Sequence, residues 1–375
     1  MLIVLAAYAL SRALTTLLLV AAYAIAIRQG RPIAQFPGDT DFLDLLQSWD
    51  GLNYREIALD GYPSTLPEND DGLVQKNVWA FLPLYPLLIR SLLFTGLDAG
   101  VIAVALSIAF GGAAAIALFT VLSFRFDEST ALWGAVLLCF SPLSFVLQVA
   151  YAESMFLLLM FGALAAMQRD RWWLVAACGV AAAFTHPGAL AIACAVVVAG
   201  GIHLVRRERP LRSTVAPGLA AVVIAAAGFS WPVIVDAATG ETDAYFRTEL
   251  AWWRFHIGDV EFVPFSPWFL MAGRYLGPAG IVAVIALMLL VAVLLRRPGA
   301  RRCGTAMLAY LGSYAAYLFA VFLPQQSLFR MLLPLAPALA APLLTATRSR
   351  RIAALAVAVV LQPVAIQLLW VIQPP

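Results

Sequence analysis

The 375-residue sequence predicts an all-α polytopic membrane protein with about eleven transmembrane helices and an acidic first outer loop. Three observations predict it. The chain is 63% hydrophobic and only 12% charged, with a mean hydropathy of +0.89, far more apolar surface than a soluble fold hides. Its apolar runs approach or exceed the ~20 residues that a helix needs to span a bilayer. In lipid every backbone polar group must be satisfied internally, so these runs are helices, and the short alternating segments of a β-barrel are missing.

In order, the runs are 2–27, 81–97, 100–122, 130–149, 151–167, 172–204, 214–235, 268–295, 304–323, 330–346 and 352–372. They form one integral membrane domain over 1–375. The first run ends in Ala24-Ile25-Ala26, which mimics a cleavage site, but it is long for a signal peptide and carries Arg12 inside. It is read as a retained helix. Run 81–97 opens with Trp79-Ala80-Phe81-Leu82-Pro83-Leu84-Tyr85-Pro86, aromatics and prolines suited to a kink at the membrane interface. Run 172–204 is interrupted at His186-Pro187-Gly188, a break that would split it in two.

Three connectors are rich in arginine: Arg206-Arg207-Glu208-Arg209-Pro210-Leu211-Arg212, Arg296-Arg297 with Arg301-Arg302, and Arg348-Ser349-Arg350-Arg351. The positive-inside rule assigns them to the cytoplasm, which makes 28–80 and 236–267 the two large extracytoplasmic loops. Both loops are acidic, and 28–80 holds nine Asp or Glu against four Arg or Lys. Counting helices also sends Phe124-Arg125-Phe126-Asp127-Glu128 and Arg169-Asp170-Arg171 outside, against their arginines. The same count puts Glu153 on the cytoplasmic side.

Net charge is +3, and no basic patch interleaved with aromatics points to nucleic acid. Cys139, Cys178, Cys194 and Cys303 sit in or beside apolar runs without CxxC spacing, as small hydrophobes do. His203 and His256 have no metal-ligand spacing.

The residues able to carry chemistry gather in the first outer loop. In Trp49-Asp50-Gly51-Leu52-Asn53-Tyr54, Asp50 is either a general base between aromatics that could stack on a sugar, or the N-cap of a short helix over 51–59. Asp39-Thr40-Asp41 is a D-x-D pair able to hold a divalent cation or simply to form a solvated turn, and Asn69-Asp70-Asp71-Gly72 reads as a turn. Glu153, in Tyr151-Ala152-Glu153-Ser154, interrupts an apolar stretch, where an ionisable group needs a cavity or a partner. Arg330 follows Pro324-Gln325-Gln326-Ser327-Leu328-Phe329 at an outer helix end, placed to bind phosphate or to serve as an ordinary interfacial arginine. His186 is read as a structural residue of its helix break, and Trp252-Trp253-Arg254 as part of an aromatic belt more than an acceptor platform.

The motifs resemble the PIG-V-like mannosyltransferases. The resemblance rests on Trp49-Asp50-Gly51 with Tyr54, Ile57-Ala58 and Gly61-Tyr62, then Phe81-Leu82-Pro83-Leu84-Tyr85-Pro86-Leu87. It continues through Ser141-Pro142, Ala150-Tyr151-Ala152-Glu153-Ser154-Met155-Phe156 and Phe329-Arg330 with Pro334 and Pro337. These pieces run through most of the chain in family order. The chain departs at Thr185-His186-Pro187-Gly188, where the family often has arginine with Asn-Gly, which suggests a divergent prokaryotic member. Prokaryotes lack GPI anchors, so the family's acceptor does not transfer.

The resemblance implies a GT-C-like fold in the plasma membrane, with the active site on the extracytoplasmic face. It implies a glycosyltransferase that moves mannose with inversion from a polyprenyl-phosphate donor to a glycolipid, polysaccharide or protein acceptor. No cofactor is expected beyond a divalent cation, for which Asp39 and Asp41 are the candidates. Asp50 would be the catalytic base, Arg330 would stabilise the leaving phosphate, and Trp49, Tyr54, Tyr85 and Glu153 would line the substrate site. A donor with a lipid tail needs no nucleotide-binding loop, and no Gly-rich phosphate loop is found. The rival is a transporter or lipid flippase binding substrate at mid-membrane, for which Arg12, Arg90, Glu153 and His186 would be the polar groups.

Overall fold

The computed structural model describes residues 1–31, 40–208 and 210–372. Among them every regular element is helical, and the sole extended pairing is an isolated bridge between Glu68 and Val74. In chain order the helices are α1 (Leu2–Arg28), α2 (Phe42–Leu46), α3 (Asp50–Leu59), α4 (Leu84–Leu92), α5 (Ala99–Ser123), α6 (Glu128–Cys139), α7 (Glu153–Met167) and α8 (Trp172–Ala183). They continue as α9 (Leu190–Val205), α10 (Val215–Thr239), α11 (Ala244–Ile257), α12 (Ser266–Arg296), α13 (Gly304–Val321), α14 (Leu328–Met331), α15 (Pro342–Thr345) and α16 (Arg348–Ile366). Among the described residues seven of these, α1, α5, α9, α10, α12, α13 and α16, are long and apolar enough to cross a membrane, and four apolar segments are shorter.

Small residues let the central helices approach closely, the usual device where lipid supplies no hydrophobic drive. Tyr8 of α1 lies against Gly111 and Gly112 of α5, where a Cβ would meet its ring, and its hydroxyl donates to the Ile108 carbonyl at 2.8 Å. Arg12 is buried in α1, and among the described residues no carboxylate pairs with it. Its Nη1 donates to the Ser144 carbonyl at 2.6 Å and its Nη2 to the Cys139 carbonyl at 3.1 Å, so it ties the end of α6 to the segment leading into α7.

Two expectations about spans change, and a third holds. The run at 81–97 is not a crossing. Its helical part, Leu84–Thr95, rises only about 18 Å, short of the ~30 Å hydrocarbon core. Both of its ends lie at one end of the bundle: the Leu84 N–H donates to the Phe184 carbonyl at 2.9 Å, and Gly100 packs on Gln47. The run at 330–346 is a chain of short pieces, α14, a 3-10 stretch at Leu333–Ala340, and α15. Pro334, Pro337 and Pro342 each lack the N–H that a continuous α-helix requires. Run 172–204 does divide at His186-Pro187-Gly188, into α8 and α9.

Striking one crossing from the count corrects the topology of 123–204. Phe124 and Arg125 share a pocket with Gln168, Asp170, His203 and Thr214, and Arg169 stacks over Phe124 at 4.2 Å. Arg351 donates to Ser129 at 2.6 Å. Connectors 124–128 and 169–171 therefore lie at the arginine-rich end of the bundle, as their own charges ask. Glu153 moves to the opposite end.

Candidate functional site

At that opposite end the chain enters α3 through Trp49, whose φ of 61° is in the left-handed region, where a bulky residue is strained by on the order of 1–3 kcal/mol. The strain is held in place from outside the helix. The Trp49 indole N–H donates to the Trp370 carbonyl at 2.9 Å, and the Trp370 indole donates to the Leu45 carbonyl at 3.0 Å. Asp50 is the first residue of α3 and Trp49 holds the N-cap position, so the N-cap role open to Asp50 from sequence is not the one it takes. Gly51 explains the motif's third letter. A Cβ there would meet the Ala150 Cβ at 3.3 Å and its carbonyl oxygen at 3.4 Å, so glycine lets α3 lie against the segment carrying Tyr151 and Glu153.

Arg330, on α14, joins two carboxylates. Its Nη2 lies 2.6 Å from Asp50 Oδ2, and its Nη1 donates to Glu153 Oε1. The guanidinium stands over the Tyr151 ring at 4.9 Å, and the Asp50 N–H donates to the Tyr151 hydroxyl at 3.3 Å. The Glu153 side chain is only 4% exposed. A lone carboxylate so placed would be costly, and the arginine offsets that burial. The contact of Glu153 with this end of the bundle, which helix counting argued against, is thus the central feature of the site.

The cluster opens into a cavity of about 200 Å³. Asp50, Tyr54, His186, Glu249, Tyr317 and Arg330 line it, with Phe81, Phe246, Trp252, Trp253 and Phe262 among its aromatic walls. Tyr54 is fixed edge-on between Phe81 and Tyr85 at 5.3 and 5.1 Å. Glu249, on α11, is half-buried in this wall, and its carboxyl accepts a hydrogen bond from Tyr245. Burial, together with the nearby Asp50 charge, pushes its carboxyl up to about 7.

Of the residues expected at the site, Asp50, Tyr54 and Arg330 meet in the cavity, with Glu153 directly behind Arg330. Tyr85 stands behind Tyr54 instead, its hydroxyl bonded to the Ala103 carbonyl and Ser107, both at 2.8 Å. Trp49 anchors the turn and does not line the cavity. Asp39 lies outside the described residues. Asp41 caps α2, its carboxylate accepting the Asp44 N–H at 2.9 Å, and no group of three His, Cys, Asp or Glu forms a metal-ligand cluster among the described residues. His186 caps the 3-10 turn after it, its Nδ1 accepting the Gly188 N–H at 3.4 Å, and also faces the cavity. Trp252 and Trp253 are cavity wall, not belt.

Sequence reasoning missed Glu249, Tyr245 and Tyr317. The signal was present: Tyr245, Glu249, Trp252 and Trp253 recur at intervals of four, three and one, which puts them on one face of a helix in an otherwise polar loop.

Fold and site define a polytopic helical membrane protein with a buried arginine–carboxylate cluster at the mouth of an aromatic cavity. No protein-family model matches the chain, and no curated protein sequence does. Among solved structures it is similar to a crystal structure of the Archaeoglobus fulgidus oligosaccharyltransferase in complex with zinc and sulfate, at 12% identity and a TM-score of 0.43, covering 84% of this chain and 48% of that one. The oligosaccharyltransferase AglB of the same organism, in complex with an inhibitory peptide and a dolichol-phosphate, matches at 12% identity and a TM-score of 0.48, covering 94% and 56%. The chain spans about half the length of these structures.

Proposed function

We propose that the protein is an inverting glycosyltransferase of the membrane, acting on the extracytoplasmic face, that moves mannose from a polyprenyl-phosphate donor to an envelope acceptor. The observation that carries the reading is Arg330 held between Asp50 and Glu153 at the mouth of an aromatic cavity, at the bundle end opposite the arginine-rich connectors. A planar guanidinium suits a phosphate oxyanion, and Arg330 Nε has no hydrogen-bond partner among the described residues. Aromatic walls suit the faces of a sugar ring.

The chemistry is a single displacement. An acceptor hydroxyl attacks the anomeric carbon on the face opposite the lipid phosphate, the bond from that carbon to the phosphate oxygen breaks, and the configuration inverts. A β-linked donor gives an α-mannoside. Arg330 stabilises the charge that builds on the departing phosphate, where one well-placed donor is worth on the order of 10²–10³ in rate. Asp50 Oδ2 is committed to Arg330, so we assign Asp50 the task of orienting the guanidinium, and not the proton transfer expected of it from the sequence.

The test is transfer from radiolabelled polyprenyl-phosphate mannose into membrane lipids and polymers, comparing wild type with Asp50→Asn at matched levels of folded protein. Transfer that is lost in the variant supports the reading. Equal transfer by both removes Asp50 from the machinery, and none by either rejects the donor class.

A further inference from the structure

We infer that Glu249 is the group that takes the proton from the attacking acceptor hydroxyl, a role that rests on the glycosyl-transfer reading above. Among the described residues three carboxylates belong to the cluster and its cavity, Asp50, Glu153 and Glu249. Two of them, Asp50 and Glu153, are bound to the same arginine. The third lines the same cavity, and among the described residues no ion pair ties it to a cation. A general base must face the substrate, and a cation bound to its carboxylate would lower its affinity for the proton. Glu249 alone of the three lines the cavity with no such cation among the described residues.

Its neighbours fit the role. Tyr245, one turn earlier on α11, bonds to the carboxyl and orients it. Asp50 on α3 and Tyr317 on α13 face it, and His186 and Arg330 line the same cavity. Lys76 stacks on Trp252 at 4.9 Å and makes no ion pair with Glu249 among the described residues. Desolvation and the Asp50 charge hold the carboxyl near 7, where a base is best matched to neutral conditions.

The step balances without a further reactant. The hydroxyl oxygen forms its bond to the anomeric carbon as its proton passes to a Glu249 carboxylate oxygen. The electron pair of the broken bond leaves on the lipid phosphate, whose added charge Arg330 meets. Once the glycoside departs, Glu249 returns its proton to water.

The experiment uses full-length wild type, Glu249→Gln and Glu249→Asp in detergent, with two readouts. The first is transfer from radiolabelled decaprenyl-phosphate mannose to a panel of alkyl glycosides as a function of pH, alongside the binding of decaprenyl phosphate itself. Glu249→Gln is expected to bind decaprenyl phosphate within about twofold of wild type, to lose kcat by about 100-fold or more and to lose the acid limb of the pH profile, with partial rescue by Glu249→Asp. The second is an infrared titration of wild type minus Glu249→Gln, expected to show a carboxylic acid band that ionises near 7. Undiminished kcat with an unchanged pH profile in Glu249→Gln overturns this inference alone, as does an infrared titration without that band. A wild type that transfers from no lipid-phosphate sugar overturns the functional reading and this inference with it.

Discussion

Replacing Arg330 with lysine keeps the positive charge and removes the fork. Arg330 serves two carboxylates through two different nitrogens, Nη1 for Glu153 and Nη2 for Asp50. Lysine gathers its donors on a single nitrogen, which cannot stand at both Nη positions at once. The Glu153 side chain is 4% exposed and that of Asp50 15%. The ammonium therefore goes to Glu153, whose abandonment is the more costly, and Asp50 is released. The variant loses one charge-assisted hydrogen bond, worth about 1.5–3 kcal/mol, and the stacking on Tyr151, worth roughly 0.5–2 kcal/mol. A net destabilisation of about 2–5 kcal/mol follows, with most turnover lost because the planar donor for the phosphate is gone. Denaturant unfolding of purified protein in detergent, paired with the transfer assay, measures both effects. If Arg330→Lys unfolds within about 0.5 kcal/mol of wild type and transfers sugar at the wild-type rate, the fork is not what this site uses.

Three further outcomes follow from the same geometry. Asp50→Asn and Arg330→Lys should be non-additive, with a coupling of about 0.5–3 kcal/mol in a double-mutant cycle of unfolding, since the two side chains are in direct contact; additive effects would deny the ion pair. Gly51→Val should destabilise by about 1–3 kcal/mol, because even its Cβ meets Ala150 at 3.3 Å and the branched side chain forces α3 and Ala150 apart, and a neutral result would show that α3 can shift away. Glu249 keeps its proton up to about 7 in the folded protein, against an ordinary 4.5. Its contribution is complete below about 4.5 and disappears as pH rises through about 7, so ligand-free stability should fall over that window. Glu249→Gln should flatten that fall, and an unchanged pH dependence of melting would contradict the burial of this carboxyl.

The membrane class and the helical architecture were legible in the sequence, because composition and run length answer directly to the bilayer. Local chemistry was legible too. The asparagine at 69 does form its turn, accepting the Asp71 and Leu73 N–H groups, and His186-Pro187-Gly188 does break the helix. Which runs cross was not legible. The run at 81–97 is apolar enough to count yet too short to span, and 330–346 passes from one end of the bundle to the other in pieces cut by prolines. A single miscounted crossing inverted the side assigned to Glu153.

The sequence by itself determined what each residue could do: an aspartate between aromatics, a glutamate that needs a partner, an arginine suited to an anion. Only the tertiary structure decided that the three form one cluster, since 177 positions separate Glu153 from Arg330 and no local periodicity records a contact at that distance. It also divided the labour among the carboxylates. A carboxylate's chemistry depends on its burial and on the cation beside it. Those are properties of the folded surroundings, which give the arginine to Asp50 and Glu153 and leave Glu249 facing the cavity without one.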